Sequence, residues 1–130
     1  MENNMKNFRF SILIMLLLAI AGCATGSHII TGKVKPALDP NKVKLYLEPP
    51  SEYEVIGIVE ASSDVELFTQ AAQDRAIQEL KKQAAQIGAN GVLIQSTGHQ
   101  TNTSGYYSGG AYYPIDTETK TATGKAIFVK

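Results

Sequence analysis

Few side chains in this chain could do chemistry. It contains one cysteine, Cys23, and two histidines, His28 and His99, among 130 residues. A zinc-type metal site needs three or four ligands, and neither histidine lies at a ligand spacing from other donors. His99 could form at most a weak site with Asp116 and a third group. The sequence therefore predicts no metal site and no cofactor, with both histidines at the surface.

Serine and phosphate chemistry are equally unsupported. No nucleophile-elbow pattern surrounds the serines near His99, which are Ser96, Ser104 and Ser108. The segment Gly88-Ala89-Asn90-Gly91 has the glycines of a phosphate loop, but anion-binding loops precede a helix and expose its free N–H groups. Here the glycines follow a predicted helix. We therefore predict that the protein has no catalytic residues and is not an enzyme.

Tyrosine provides the most distinctive chemistry. Four of the six tyrosines form doublets inside a Gly/Ser/Tyr-rich segment at 97–116, which the sequence predicts to be a long hairpin loop or arm. Tyrosine among glycine and serine is typical of adaptable recognition loops. We predict that an envelope protein or a glycan binds there, through Tyr106, Tyr107, Tyr112 and Tyr113. The alternative is that these rings cover apolar edges of their own domain.

The N-terminus has the order of a secretory signal. Residues 1–10 are polar and carry Lys6 and Arg9, residues 11–20 are uncharged and apolar, and Ala21-Gly22 are small. The apolar run covers roughly ten residues, whereas a membrane-spanning helix needs about 20. We predict that residues 1–22 are a signal peptide that is removed.

The end of this segment, Ile20-Ala21-Gly22-Cys23, resembles the lipobox of bacterial lipoproteins. That resemblance implies cleavage before Cys23, a diacylglyceryl group on its sulfur and an acyl group on its new amino terminus. Several acyl chains anchor a protein stably, whereas a single chain binds only marginally. Because position 24 is Ala rather than the aspartate that commonly retains lipoproteins in the inner membrane, the resemblance implies the periplasmic side of the outer membrane.

The predicted mature chain, residues 23–130, is close to neutral. Removal of residues 1–22 takes away two of 12 basic and one of 12 acidic residues, which leaves a net charge near −1. Nucleic-acid binding depends on a basic surface, so we predict no nucleic-acid partner. With Cys23 lipidated no thiol remains for a disulfide, and the domain must fold on its core alone.

The elements follow from hydropathy patterns. Residues 23–42 contain glycine and proline and predict a tether that becomes an extended edge near Ile29 and Ile30. Alternation predicts strands, and a stripe at three- or four-residue spacing predicts a long helix that starts with a capping box at Ser63 and ends at Gly88. The predicted strands are Val43–Glu48, Tyr53–Ala61, Gly91–Gln95 and Thr117–Val129, and the stripe is Val65, Phe68, Ala72, Ala76, Leu80, Ala84 and Ile87.

These elements predict a single α+β domain over residues 43–130. The order β-β-α-β-β indicates a two-layer fold in which one long helix covers a small, mainly antiparallel sheet. The strands that flank the tyrosine segment should pair as a hairpin, and the strands that flank the helix could lie parallel.

Several segments resemble a family of small bacterial lipoproteins, above all the run from Leu80 to Leu93, which joins a helix through Gly-Ala-Asn to a strand. The same signature is similar to the Rcs envelope-stress sensor lipoprotein and to a family of proposed heavy-metal-binding domains. The resemblance implies a small α+β domain at a membrane or in an oligomer. The stress sensor relies on paired cysteines, which this mature chain lacks, so stress sensing rests on analogy alone.

Three functions follow as hypotheses. The first is a membrane-anchored periplasmic lipoprotein that binds or senses without catalysis. The second is a structural envelope protein that forms homo-oligomers through an exposed sheet edge. The third, and weakest, is a lipoprotein enzyme acting on cell-wall material, which would need catalytic residues that the sequence does not display.

Overall fold

The computed structural model describes residues 23–64 and 69–130, together with Arg9. Within residues 23–64 and 69–130 there are five strands, one helix and a short 3-10 turn at Pro40–Lys42. The elements are β1 (Ala24–Ile30), β2 (Lys44–Tyr46), β3 (Tyr53–Asp64), α1 (Thr69–Gln86), β4 (Gly91–Ser108) and β5 (Ala111–Val129). The predicted signal peptide and the stripe residues Val65 and Phe68 lie outside the described residues.

The predicted fold class is wrong. Of the described residues, 56% are in strands and 21% are helical, and their five strands curl into a half-barrel that carries one helix, rather than a small sheet covered by a helical layer. The error has two sources. The segment predicted to be a tether contributes a full strand, and the segment predicted to be a loop extends two others.

The sheet order is β1-β3-β5-β4-β2. Strands β1, β3, β5 and β4 pair antiparallel, whereas β2 pairs parallel with the start of β4. The hairpin of β4 and β5 was predicted correctly. Strands β3 and β4, which flank the helix, run in the same direction as expected, but β5 lies between them.

The helix packs where its apolar stripe predicts. Ala72, Ala76, Leu80 and Ala84 are fully buried, and Ile87 nearly so. Small residues on the sheet allow this close approach: a Cβ at Gly26 of β1 would collide with the side chains of Glu79 and Gln83. The core lies between α1 and the sheet and is completed by Val43, Ile56, Val59, Val92, Ala122 and Ala126.

Two local predictions were wrong. Ser63 is not a helix cap: it lies in β3, paired with Ala24 and Lys120, and its hydroxyl accepts a hydrogen bond from Arg75 Nε at 3.0 Å. The first predicted strand is shorter than expected, because only three residues form β2. Its alternating face is buried only at Val43, which is 1% exposed, whereas Leu45 and Leu47 are 41% and 84% exposed.

The Gly-Ala-Asn signature, Gly88 to Asn90, terminates the helix and joins its end to β5 by hydrogen bonds. Gly88 takes φ +81° at the helix end, where a side chain would be strained and would strike Lys35. Ala89 is fully buried, and its N–H donates to the carbonyl of Ala84. The Asn90 side chain pairs with Val129 in both directions: Nδ2 donates to the Val129 carbonyl at 2.9 Å, and Oδ1 accepts from its N–H at 2.7 Å. The signature therefore has a structural role here.

Candidate functional site

The tyrosine segment is an ordered two-stranded ribbon rather than a loop. Strands β4 and β5 stay in register from Gly98↔Thr121 to Ser108↔Ala111, and Gly109 and Gly110 form the turn. Both glycines have positive φ, +59° and +82°, which matches a type I′ hairpin turn. The prediction of a loop at 97–116 is therefore wrong. The glycines and serines of this segment occur because both faces of the two strands are exposed, not because the backbone is irregular.

The ribbon gathers all four predicted tyrosines at its tip. Tyr106 stacks on Tyr113 across the strands with ring centroids 5.4 Å apart, and Tyr107 meets Tyr112 at 5.1 Å. Alternation places the two pairs on opposite faces. Each of the four tyrosines is substantially exposed, from 48% at Tyr113 to 80% at Tyr107. The rings therefore contact one another rather than cover the core, which contradicts the alternative that they cap their own domain.

The two faces of the tip differ in character. Tyr106, Tyr113 and Ile115 lie on one face, and Ile115 is 49% exposed although it is a large aliphatic residue. The other face carries Tyr107 and Tyr112, and the Tyr112 ring lies against Gly105, where any side chain would collide with it. Further down that face, Thr103 donates a hydrogen bond to Asp116 at 2.6 Å.

Cys23, the predicted lipidation site, is exposed and directly precedes β1. No spacer separates it from the sheet, because Ala24 already pairs with Ser63. The predicted tether at 23–42 is therefore wrong in its first part, although the extended edge near Ile29 and Ile30 is confirmed as β1. Residues 31–39 continue without regular structure to the 3-10 turn.

The face of the sheet opposite α1 holds a hydroxyl-lined trough of about 480 Å³. The register puts Thr25, Ser62 and Thr121 on that face, and the hydroxyls of Thr25 and Ser62 lie 3.0 Å apart. Glu60 and Gln100 also line it. No motif in the sequence predicted this trough; its one sign is the alternation of threonine with alanine and glycine after residue 120. Its groups can exchange hydrogen bonds with a polar ligand.

The structure does not bring the histidines together with the serines or acids considered above. His28 is half-buried rather than fully at the surface, and its Nδ1 lies 2.8 Å from Gln83 Oε1 on the helix side of the sheet. His99 is exposed and pairs with Lys120, whereas Asp116 pairs with Thr103, four residues further along β4. Among the described residues, no group of three or more His, Cys, Asp or Glu side chains could hold a metal ion.

Two exposed carboxylates have lowered pKa values. Hydrogen bonds from Lys130 and Lys35, with N–O distances of 3.3 and 3.4 Å, hold the pKa of Glu54 below its usual value. Lys120 does the same to the pKa of Glu118 from 2.8 Å. Glu54 on β3 thereby contacts the C-terminal residue and the segment before the 3-10 turn, whereas Glu118 and Lys120 lie on the same strand, β5. Neither carboxylate lies at the tyrosine tip.

Among the helices of the described residues, none combines the length and apolar character that a membrane crossing requires.

Comparisons with known proteins give one distant similarity. No family model matches the chain, and no curated protein matches it. Among solved structures, the crystal structure of a Francisella virulence factor, FvfA, is similar over 78% of this chain and 97% of that chain, with 20% identity and a TM-score of 0.48. The resemblance to the Rcs stress sensor and to heavy-metal-binding domains stays a prediction.

Proposed function

We propose that this protein is a lipoprotein anchored through Cys23 to the periplasmic side of the outer membrane, and that it acts as a non-catalytic binding or sensing module. The observation that carries the proposal is the position of the single cysteine. Cys23 directly follows the uncharged apolar run and the sequence Ile20-Ala21-Gly22. It is also the last residue before the first strand of the sheet begins. A lipid at that position ties the rigid domain to a bilayer.

The tyrosine tip is the contact surface of this module. Its aromatic pairs are exposed on a scaffold fixed by the sheet, which is the arrangement expected where rings supply contact area at low entropic cost. The sequence favours an envelope protein or a glycan as the partner.

Intact-mass analysis of the protein isolated from membranes tests the anchor. The expected chain starts at residue 23 and carries a diacylglyceryl group and an acyl group. Cys23→Ser should abolish both processing and membrane association, since it removes the only thiol. Ala24→Ser is the matched control and should be processed normally. An unmodified Cys23, or a chain that begins at residue 1, would contradict the proposal.

Localisation provides a second test. Ala24→Asp should move the lipoprotein to the inner membrane in a host of the enteric type, whereas Ala24→Ser should leave it in the outer membrane. Sucrose-gradient fractionation measures the distribution, and an unchanged distribution for Ala24→Asp would count against outer-membrane sorting through this position.

A structural role is the second candidate function, because the ribbon leaves backbone groups free. Within the described residues, no strand pairs with the outer edges of 101–108 and 111–118. Such edges can pair with another copy. Sedimentation of the mature domain without lipid separates the candidates, since a monodisperse oligomer favours the structural role and a monomer favours the binding module.

A further inference from the structure

The ribbon leaves the sheet at the same end as Cys23. Ala24 pairs with Ser63, and Ser63 pairs with Lys120, which in turn pairs with His99. One step further, Cys23 is therefore level with Asp64, Thr119 and Gln100. Beyond this level the ribbon continues for eight residues, Thr101 to Ser108. At about 3.4 Å per residue, it projects roughly 27 Å past the point of lipid attachment.

We infer that the tip of this ribbon occupies the interface of the bilayer in which Cys23 is anchored. The inference rests on the proposed lipid anchor. With lipid on Cys23, the membrane surface lies at this end of the sheet, and the ribbon extends towards it. The bilayer is thus within reach of the tyrosine tip without any conformational change.

The composition of the tip suits this position. Sixteen consecutive residues, 100–115, contain no charged side chain, and charges return only at Asp116. No charge therefore has to leave water when the tip enters the headgroup layer. Tyrosine is enriched at this depth because its ring is apolar and its hydroxyl remains hydrated. The face with Tyr106, Tyr113 and Ile115 is the apolar one, and we assign it to the lipid side. The opposite face, with Tyr107 and Tyr112, stays available to a protein or glycan partner.

The backbone limits the depth. Among the described residues, no strand pairs with the outer edges of the ribbon, so the N–H and C=O groups of these edges would lose their hydrogen bonds to water on entry into the hydrocarbon core, which is strongly unfavourable. The headgroup layer still contains water, so these groups remain satisfied there. The ribbon extends farther beyond Cys23 than this layer is deep, so the domain must tilt on its anchor until the ribbon lies along the interface rather than crosses it.

Tryptophan fluorescence tests this placement, since the chain contains no tryptophan. Tyr106→Trp places one indole at the tip, and Tyr53→Trp, the matched control, places one at the opposite end of the sheet, where Tyr53 pairs with Val129. Both full-length lipidated variants are reconstituted into phosphatidylethanolamine/phosphatidylglycerol vesicles with and without brominated acyl chains. The Y106W emission should shift to shorter wavelength and lose intensity with brominated lipid, whereas the Y53W emission should change little.

The other outcomes are distinguishable. If mass analysis shows lipid on Cys23 and the protein floats with vesicles, but Y106W behaves like Y53W, the interface placement is overturned and the anchor stands. If Cys23 is unmodified, both fail. A blue shift that is present before vesicles are added and is insensitive to bromine indicates a second copy at the tip and overturns the inference. A shift caused only by cell-wall glycan fragments overturns it in favour of a glycan partner.

Discussion

At the scale of single residues, the hydrogen bonds of Asn90 account for the asparagine in the Gly-Ala-Asn signature that joins α1 to β4. Gly88 supplies the left-handed turn, and Asn90 replaces a missing backbone partner for Val129 at the end of β5. In addition, the Asn90 carbonyl accepts from the Lys44 N–H at 3.0 Å, which begins β2. One residue therefore connects the helix end, the short parallel strand and the last strand.

Asn90→Ala should lower the free energy of unfolding by about 1–3 kcal/mol, because it leaves half-buried backbone groups of Val129 without partners. Asn90→Asp keeps the acceptor oxygen but removes the amide donor. The decrease in its free energy of unfolding should therefore be smaller at a pH where the protonated carboxyl can donate a hydrogen bond. Urea unfolding of both variants measures the effect. An alanine variant as stable as the wild type would show that water fully replaces the two hydrogen bonds between Asn90 and Val129.

Glu54 gives a pH-dependent prediction. Its folded-state pKa is lowered by Lys130 and Lys35, so the stabilisation is present above the ordinary value of 4.5 and is lost as the pH falls through the lowered folded value. Glu54→Gln should therefore be less stable than the wild type at neutral pH and equal to it well below 4.5. The difference should be small because the group is exposed.

Glu52→Gln is the control for this measurement, since Glu52 forms no ion pair within the described part of the chain. Urea midpoints at the two pH values suffice. A stability gap between wild type and Glu54→Gln that persists at low pH would contradict the ion-pair account.

At the scale of elements, the sequence predicted the helix and its buried stripe because periodicity records burial directly. It predicted the outer part of the β4–β5 hairpin poorly for the same reason. Neither face of that ribbon is buried, so nothing in 101–116 alternates between apolar and polar, and only the Gly109-Gly110 turn marks the hairpin. Strand β1 was hidden for a related reason: Gly26 faces α1, where only a glycine fits, and Thr25 and Ser27 are exposed, so the segment shows no apolar alternation.

The turn offers the matching prediction. Valine at both Gly109 and Gly110 should cost the ribbon about 1–2 kcal/mol per residue, because both positions are left-handed. Gly109→Asn, which suits a type I′ turn, is the control and should leave the ribbon intact. Amide hydrogen exchange measures the stability of the ribbon separately from that of the core. Protection at 101–108 should fall in the valine variant, while protection at 122–127 should not. Equal loss in both segments would mean that the ribbon and core fold as one unit.

At the scale of the whole molecule, the core and the ribbon divide the protein into a part that provides stability and a part that provides contact surface. Every buried core residue lies outside 101–118. The candidate site itself was predictable in its residues, because four tyrosines in one polar segment are conspicuous. Its geometry was not, since the pairing of Tyr106 with Tyr113 depends on a register that the Gly109-Gly110 turn sets.

Deletion of residues 101–118, with Asn-Gly joining the paired residues Gln100 and Thr119, should therefore change the free energy of unfolding by less than about 1 kcal/mol. The same deletion should remove every contact made by the tip. Chemical denaturation measures the first effect and vesicle-induced protection from a protease measures the second. A deletion variant that fails to fold would show that the ribbon supports the core.

The immediate start of β1 after Cys23 has a consequence for maturation. Enzymes that acylate and cleave at a cysteine need to hold the chain on both sides of it, yet residues 24–30 are hydrogen-bonded along the whole of their length to β3. If Cys23 is the modified residue, we expect these enzymes to act while the first strand is still undocked. Closure of this edge would then be the final step of biogenesis, and a precursor arrested before cleavage should display an open edge on β3.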